Sequence, residues 1–147
     1  MKKPAKKVTK LDETRTVSVA ISCPVEKVYK FLSAPANFPQ WASGLCTEIN
    51  KKNGGWVAKT TQGLAKIEFT KKNTFGILDH TVTMGRNKVY VPMRVLPNHK
   101  GCEVTLTIYR NKMSDSRFKE DIGWVERDLD ALKNLLEQTA GKGDANA

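Results

Sequence analysis

Between residues 118 and 136 the apolar side chains Phe118, Ile122, Val125, Leu129, Leu132 and Leu136 recur at intervals of 4, 3, 4, 3 and 4. That rhythm belongs to one face of an α-helix. Ser114 suits the N-cap, Asp115 the positive end, and Gly141 a stop. The expected helix therefore has about 26 residues and a length of about 39 Å. A single apolar stripe of that length cannot be covered by a loop or by another short helix. It requires a broad apolar surface, and the rest of the chain has to provide a sheet.

The sequence upstream meets that requirement. Thr16–Ile21 alternates, with Val17, Val19 and Ile21 on one face, as a half-buried strand does. "SCPVEKVYKFL" follows, where Pro24 suits a helix start and Val25, Val28, Tyr29 and Leu32 form a helical stripe. Two prolines in "SAPANFPQWASG" break this helix, and Phe38 and Trp41 are expected on a second short helical turn that caps one end of the core. From Leu45 to Tyr109 only strand and turn patterns appear. Asn53-Gly54-Gly55 is a strong hairpin turn. "GLAKIEFTKKN", "ILDHTVT", "KVYVPMRVLPN" and "CEVTLTIYR" alternate in the manner of successive antiparallel strands. Pro92 lacks an amide donor, so a bulge or an interruption is expected there.

Composition narrows the class further. A chain of 147 residues makes one domain, and no apolar stretch approaches the roughly 20 residues of a membrane span. The opening "MKKPAKKVTKL" has no apolar segment behind its basic head, and three dispersed cysteines suit reduced thiols, so a cytoplasmic location is expected. Half of the +10 net charge comes from Lys2, Lys3, Lys6, Lys7 and Lys10. Residues 1–13 are read as a disordered basic tail, 14–140 as the domain, and 141–147 as a frayed end. Lys51, Lys52, Lys59, Lys66, Lys71 and Lys72 add a second basic patch. Arginine and aromatic residues are sparse around these lysines, so nucleic-acid or anionic-surface binding is expected to be weak and non-specific.

The order strand, two short helices, about six further antiparallel strands and a long helix defines an α+β protein. It amounts to a curved antiparallel sheet of about seven strands wrapped on the C-terminal helix. With "SCPVEKVYKFLSAPANFPQWA", "FGILDHTVT", "VYVPMRVLPN" and "MSDSRFKEDIGWVERDLDALKNLLE", residues 14–137 resemble the START-like or SRPBCC superfamily, most closely its polyketide cyclase/dehydrase-like members. The resemblance implies a helix-grip fold with an apolar cavity between sheet and C-terminal helix. It also implies a small lipid-, polyketide- or hormone-like ligand, bound or transformed there.

Chemistry within such a cavity centres on "FGILDHTVTM". Adjacent strand residues point to opposite faces, so Asp79 and His80 are not a local acid–base pair. His80 shares its face with Leu78 and Val82 and is expected to look inward, with Asp79 turned to solvent. His80 is a core residue, a ligand contact or a general base on this pattern. Asp121 sits at the edge of the helix stripe, where it either meets His80 across the cavity or stays on the surface. Trp41, Trp56, Met93 and Trp124 complete the expected wall. Arg94 and Tyr90 fall on the face opposite Met93 and are expected outside, unless a bulge at Pro92 flips the register. There is no GxSxG, Walker A or GxGxxG pattern and no metal-ligand spacing, so neither a metal nor a cofactor is expected. Ligand binding without chemistry is the leading reading. A cyclase or dehydratase using the histidine is the second, and a weak anionic-surface binder the third.

Overall fold

The computed structural model describes residues 11–145, with side chains described as far as Thr139. The basic segment before Leu11 lies outside the described residues. Eight strands and three α-helices follow in the order β1 (Thr14–Ile21), α1 (Val25–Leu32), a 3₁₀ turn (Pro35–Asn37), α2 (Phe38–Trp41), β2 (Cys46–Lys52), β3 (Gly55–Thr60), β4 (Gly63–Phe69), β5 (His80–Met84), β6 (Asn87–Val91), β7 (Met93–Asn98), β8 (Gly101–Tyr109) and α3 (Asp115–Ala145). All strand pairs are antiparallel. The α+β helix-grip architecture expected from the sequence is present.

Two differences have clear causes. The segment that reads as one strand through "KVYVPMRVLPN" is two, because Pro92 interrupts the hydrogen-bond ladder. β6 ends at Val91 in a five-stranded sheet ordered β2-β3-β4-β5-β6, and β7 begins at Met93 in a three-stranded sheet ordered β1-β8-β7. Proline can neither donate to a ladder nor leave its φ near −65°, so the chain changes sheets there. The C-terminal helix also passes Gly141 and has 31 residues, about 46 Å of rise. A glycine costs about 1 kcal/mol in a helix, and this one does not act as a stop.

Local signals explain most elements. Asn53 and Gly54 both have positive φ, 52° and 79°, the backbone of a tight hairpin between β2 and β3. Pro24 precedes α1, and Val28 and Leu32 form its buried face. Ser114 Oγ accepts the Arg117 amide at 3.2 Å and caps α3. Asp12 and Glu13, expected to be part of a loose tail, are tied down: Asp12 accepts the Asn111 amide at 3.0 Å and Glu13 pairs with Arg110 at 2.8 Å.

α3 lies along β1 and against α2. Its C-terminal half is stitched to the turn between β1 and α1. Ser22 N–H donates to Glu137 at 2.8 Å, Lys133 Nζ to Ala20 O at 2.9 Å, and the Cys23 thiol to Leu136 O at 3.2 Å. Beneath these contacts Leu129, Leu132 and Leu136 join Ile21, Val28, Leu32, Met93, Val95 and Val104 in one hydrophobic core. No helix among the described residues is long and apolar enough to cross a membrane.

Candidate functional site

The register of the five-stranded sheet sorts its inner face into rows. Trp56, Ile67, Val82 and Val89 are cross-strand partners in one row, and Phe69, His80 and Val91 in another. Cross-strand partners share a face, so these side chains line the concave side. α2 lays Phe38 and Trp41 over the His80 row. The His80 ring meets Phe38 at 5.6 Å and Trp41 at 5.8 Å, both edge to face, and Phe69 at 6.1 Å. Phe38 also meets Trp41 at 4.8 Å, with the rings 83° apart. Such edge contacts suit the ring quadrupoles.

His80 is only 5% exposed. Its Nδ1 lies 3.1 Å from Leu78 O. A carbonyl oxygen only accepts, so Nδ1 carries the proton and Nε2 keeps its lone pair. Burial pushes the imidazole pKa below its ordinary value near 6.5, while the Leu78 carbonyl pulls weakly the other way. The ring is therefore neutral at pH 7. A depressed histidine pKa contributes stability that is present above 6.5 and lost as pH falls toward the lowered value, at up to about 1.4 kcal/mol per pH unit. Thermal melts between pH 8 and pH 5 are expected to fall more steeply for the native protein than for His80→Leu. The other histidine, His99, is exposed. Parallel slopes would show that His80 does not carry the effect.

Asp79 departs from the sequence expectation. It does sit on the face opposite His80, yet it is 8% exposed and does not look into solvent. Its carboxylate accepts the Met93 amide at 2.9 Å, the Tyr90 hydroxyl and the Arg94 guanidinium. Tyr90 and Arg94 are outside, as expected, and they roof the carboxylate. The cluster bridges the break at Pro92, since Tyr90 belongs to β6 and Met93 and Arg94 to β7.

This framework is shared with known structures. Among them is BexL, a di-domain ARO/CYC from the BE-7585A biosynthetic pathway, which superposes with a TM-score of 0.67 at 13% identity over 85% of this chain and 46% of that one. The helix-grip fold is shared with these proteins. An uncharacterised protein from Bacillus thuringiensis has a TM-score of 0.67 at 14% identity, covering 84% of this chain and 98% of that one. MLL2253 from Mesorhizobium loti gives 0.66 at 18% identity over 86% and 98%. No family model matches the chain, and no curated protein matches it in sequence.

Within this frame the predicted site residues divide into two groups. Trp41, His80 and Met93 are buried, and Trp56 is half-buried on the concave face. Asp121 and Trp124 stand on the flank of α3. Asp121 accepts from Arg117 Nε at 3.1 Å, one helical turn away, and no hydrogen bond joins it to His80 among the described residues. Trp124 is 44% exposed and stacks under Arg127 at 4.5 Å. Two open clefts, of about 530 and about 520 Å³, have no α3 residue in their lining, and Trp56 lines the second. One runs between α1 and the 72–76 loop beside Tyr29 and Val95, and the other borders the β2–β3 hairpin.

The sequence reading missed Asp128. It accepts Ser43 Oγ at 3.1 Å and the Gly44 amide at 3.3 Å, which fastens the segment after α2 to α3. Burial pushes its carboxyl pKa up, and the Ser43 and Gly44 bonds pull it down. A Cβ at Gly44 would lie 3.0 Å from the Trp124 ring, so a larger residue there requires that ring to shift. Asp128 adjoins Leu129 in sequence, but no periodicity marks an acid whose partners lie 84 and 85 residues away.

Proposed function

We propose that the protein binds a small apolar or aromatic molecule between the five-stranded sheet, α2 and α3. The observation that carries this reading is the aromatic cluster of Phe38, Trp41, Phe69 and His80, which continues into an apolar face that the fold covers only in part. Trp56, Phe69, Met84, Val91 and Val125 are half-buried around it, and Val89 is exposed. An apolar concave face with a few polar groups is the usual make-up of a small-molecule site. Trp41, Trp56, His80 and Met93 are the wall in this reading, and Asp121 and Trp124 edge its mouth. The START-like fold and the ARO/CYC neighbour agree with it.

The cyclase or dehydratase reading draws support from a neutral His80 with a bare Nε2, the form a general base needs. Asp121, engaged by Arg117, gives it no second group, so binding without turnover is the stronger alternative. Desolvation pushes the buried thiols of Cys46 and Cys102 up to about 11, so neither supplies a nucleophile for such a reaction at pH 7.

Native mass spectrometry of freshly purified protein is expected to show a co-purified small molecule. A titration with N-phenyl-1-naphthylamine is expected to saturate near one equivalent. A protein that carries nothing and takes up no probe at about 100 µM would sink the proposal.

A further inference from the structure

Trp41 carries the one buried side-chain nitrogen or oxygen that lacks a hydrogen-bond partner among the described residues, its indole Nε1–H. Native interiors rarely leave a donor in this state, because it has given up water and received nothing in exchange. A second unfilled position stands in the same cluster. His80 spends its Nδ1–H on Leu78 O, and it makes no other hydrogen bond among the described residues. Its Nε2 therefore offers a lone pair. The two rings are 5.8 Å apart at 79°, Phe38 meets both of them, and Phe69 meets His80.

A donor and an acceptor on one aromatic cluster define what can satisfy them. A carbonyl would answer Trp41 alone, and an ammonium His80 alone. A carboxylate would lose its hydration beside aromatic rings with no cation to replace it. A hydroxyl answers both, since its oxygen accepts the indole N–H while its own hydrogen goes to the imidazole. We infer that the bound molecule is an aromatic alcohol or phenol, held by one hydroxyl between Trp41 Nε1–H and His80 Nε2. The inference rests on the binding reading above and specifies its ligand class.

The test uses the full chain with 2-naphthol and its near-isostere 2-methylnaphthalene, followed by calorimetry at pH 7.5. 2-Naphthol is expected to bind about tenfold tighter, the scale of one net hydrogen bond. In Trp41→Phe and in His80→Leu the ratio of the two affinities is expected to shrink to about twofold or less, whatever happens to the 2-methylnaphthalene affinity itself. Circular dichroism checks that each variant is folded, and His80→Phe stands in if the leucine variant is not. Equal affinities in the native protein would overturn the hydroxyl assignment and leave the binding reading standing. Failure of both probes to bind would overturn both. A preference that survives in Trp41→Phe would mean that the indole N–H rests on the Phe38 ring and takes no part, and this too would overturn the assignment.

Discussion

Asp79→Ala is expected to lower stability by about 3–5 kcal/mol, a fall of roughly 10–15 °C in melting temperature. Asp79 holds three donors at once: the Met93 amide, Tyr90 and Arg94. Removing it strands a buried backbone N–H and leaves a partly buried guanidinium without its partner. Breaking one side of such an arrangement costs far more than the net worth of the pair. The amide of Asp79→Asn keeps one acceptor oxygen and is expected to recover part of the loss. A melting temperature within about 3 °C of native for Asp79→Ala would show that water replaces the carboxylate. The position of the loss is informative too. Asp79 joins β6 to β7 across Pro92, so amide exchange is expected to quicken at that junction before it does in the β3–β4 hairpin.

Gly76→Ala is expected to be similarly severe, at about 4 kcal/mol. Gly76 has a φ of +72°, a region that costs an alanine about 1–2 kcal/mol. The larger contribution is steric. A Cβ at this position would lie 2.2 Å from the Val95 carbonyl oxygen, a backbone atom that no rotamer change can remove. The Gly76 carbonyl accepts the Val95 amide at 3.0 Å, so moving the loop away from β7 to relieve the clash also breaks a hydrogen bond. Gly85→Ala is the control. Its φ is +58°, but nothing lies within 4 Å of the added methyl, so only about 1–2 kcal/mol is expected. Chemical denaturation of the two variants side by side separates conformational cost from collision. Equal losses would mean that the loop around Gly76 yields freely.

The elements of the fold were legible because each rests on short-range pattern. The stripe from Phe118 to Leu136, the Asn53-Gly54 turn and the alternation through His80 depend on neighbours within a few residues. The placement of Phe38 and Trp41 on a short helix between breaks was readable for the same reason. Asp79 shows where this reasoning ends. Alternation gives the face of a side chain, but not whether that face is covered. Its cover comes from Tyr90 and Arg94, 11 and 15 residues on, brought together by a strand break whose geometry a lone proline only hints at. Asp121 carried a usable signal, since Arg117 stands four residues before it at the spacing of a helical ion pair. Trp124 had a similar signal in Arg127. Asp128 had none, because its partners are set by the tertiary fold. The orphan N–H of Trp41 is likewise a property of the assembled core and has no counterpart in the sequence.

The lysines that suggested a polyanion in the sequence take on another meaning from where β2 stands. β2 is the outermost strand of its sheet, with an irregular register between Cys46 and Glu48. Lys51 and Lys52 close it, and Lys51 is the cross-strand partner of Trp56, so its ammonium projects over the concave side. A strand from another molecule that tried to extend the sheet would have to desolvate that charge and follow a kinked edge. The same two lysines that make the surface basic thus disfavour strand addition at this edge of the sheet.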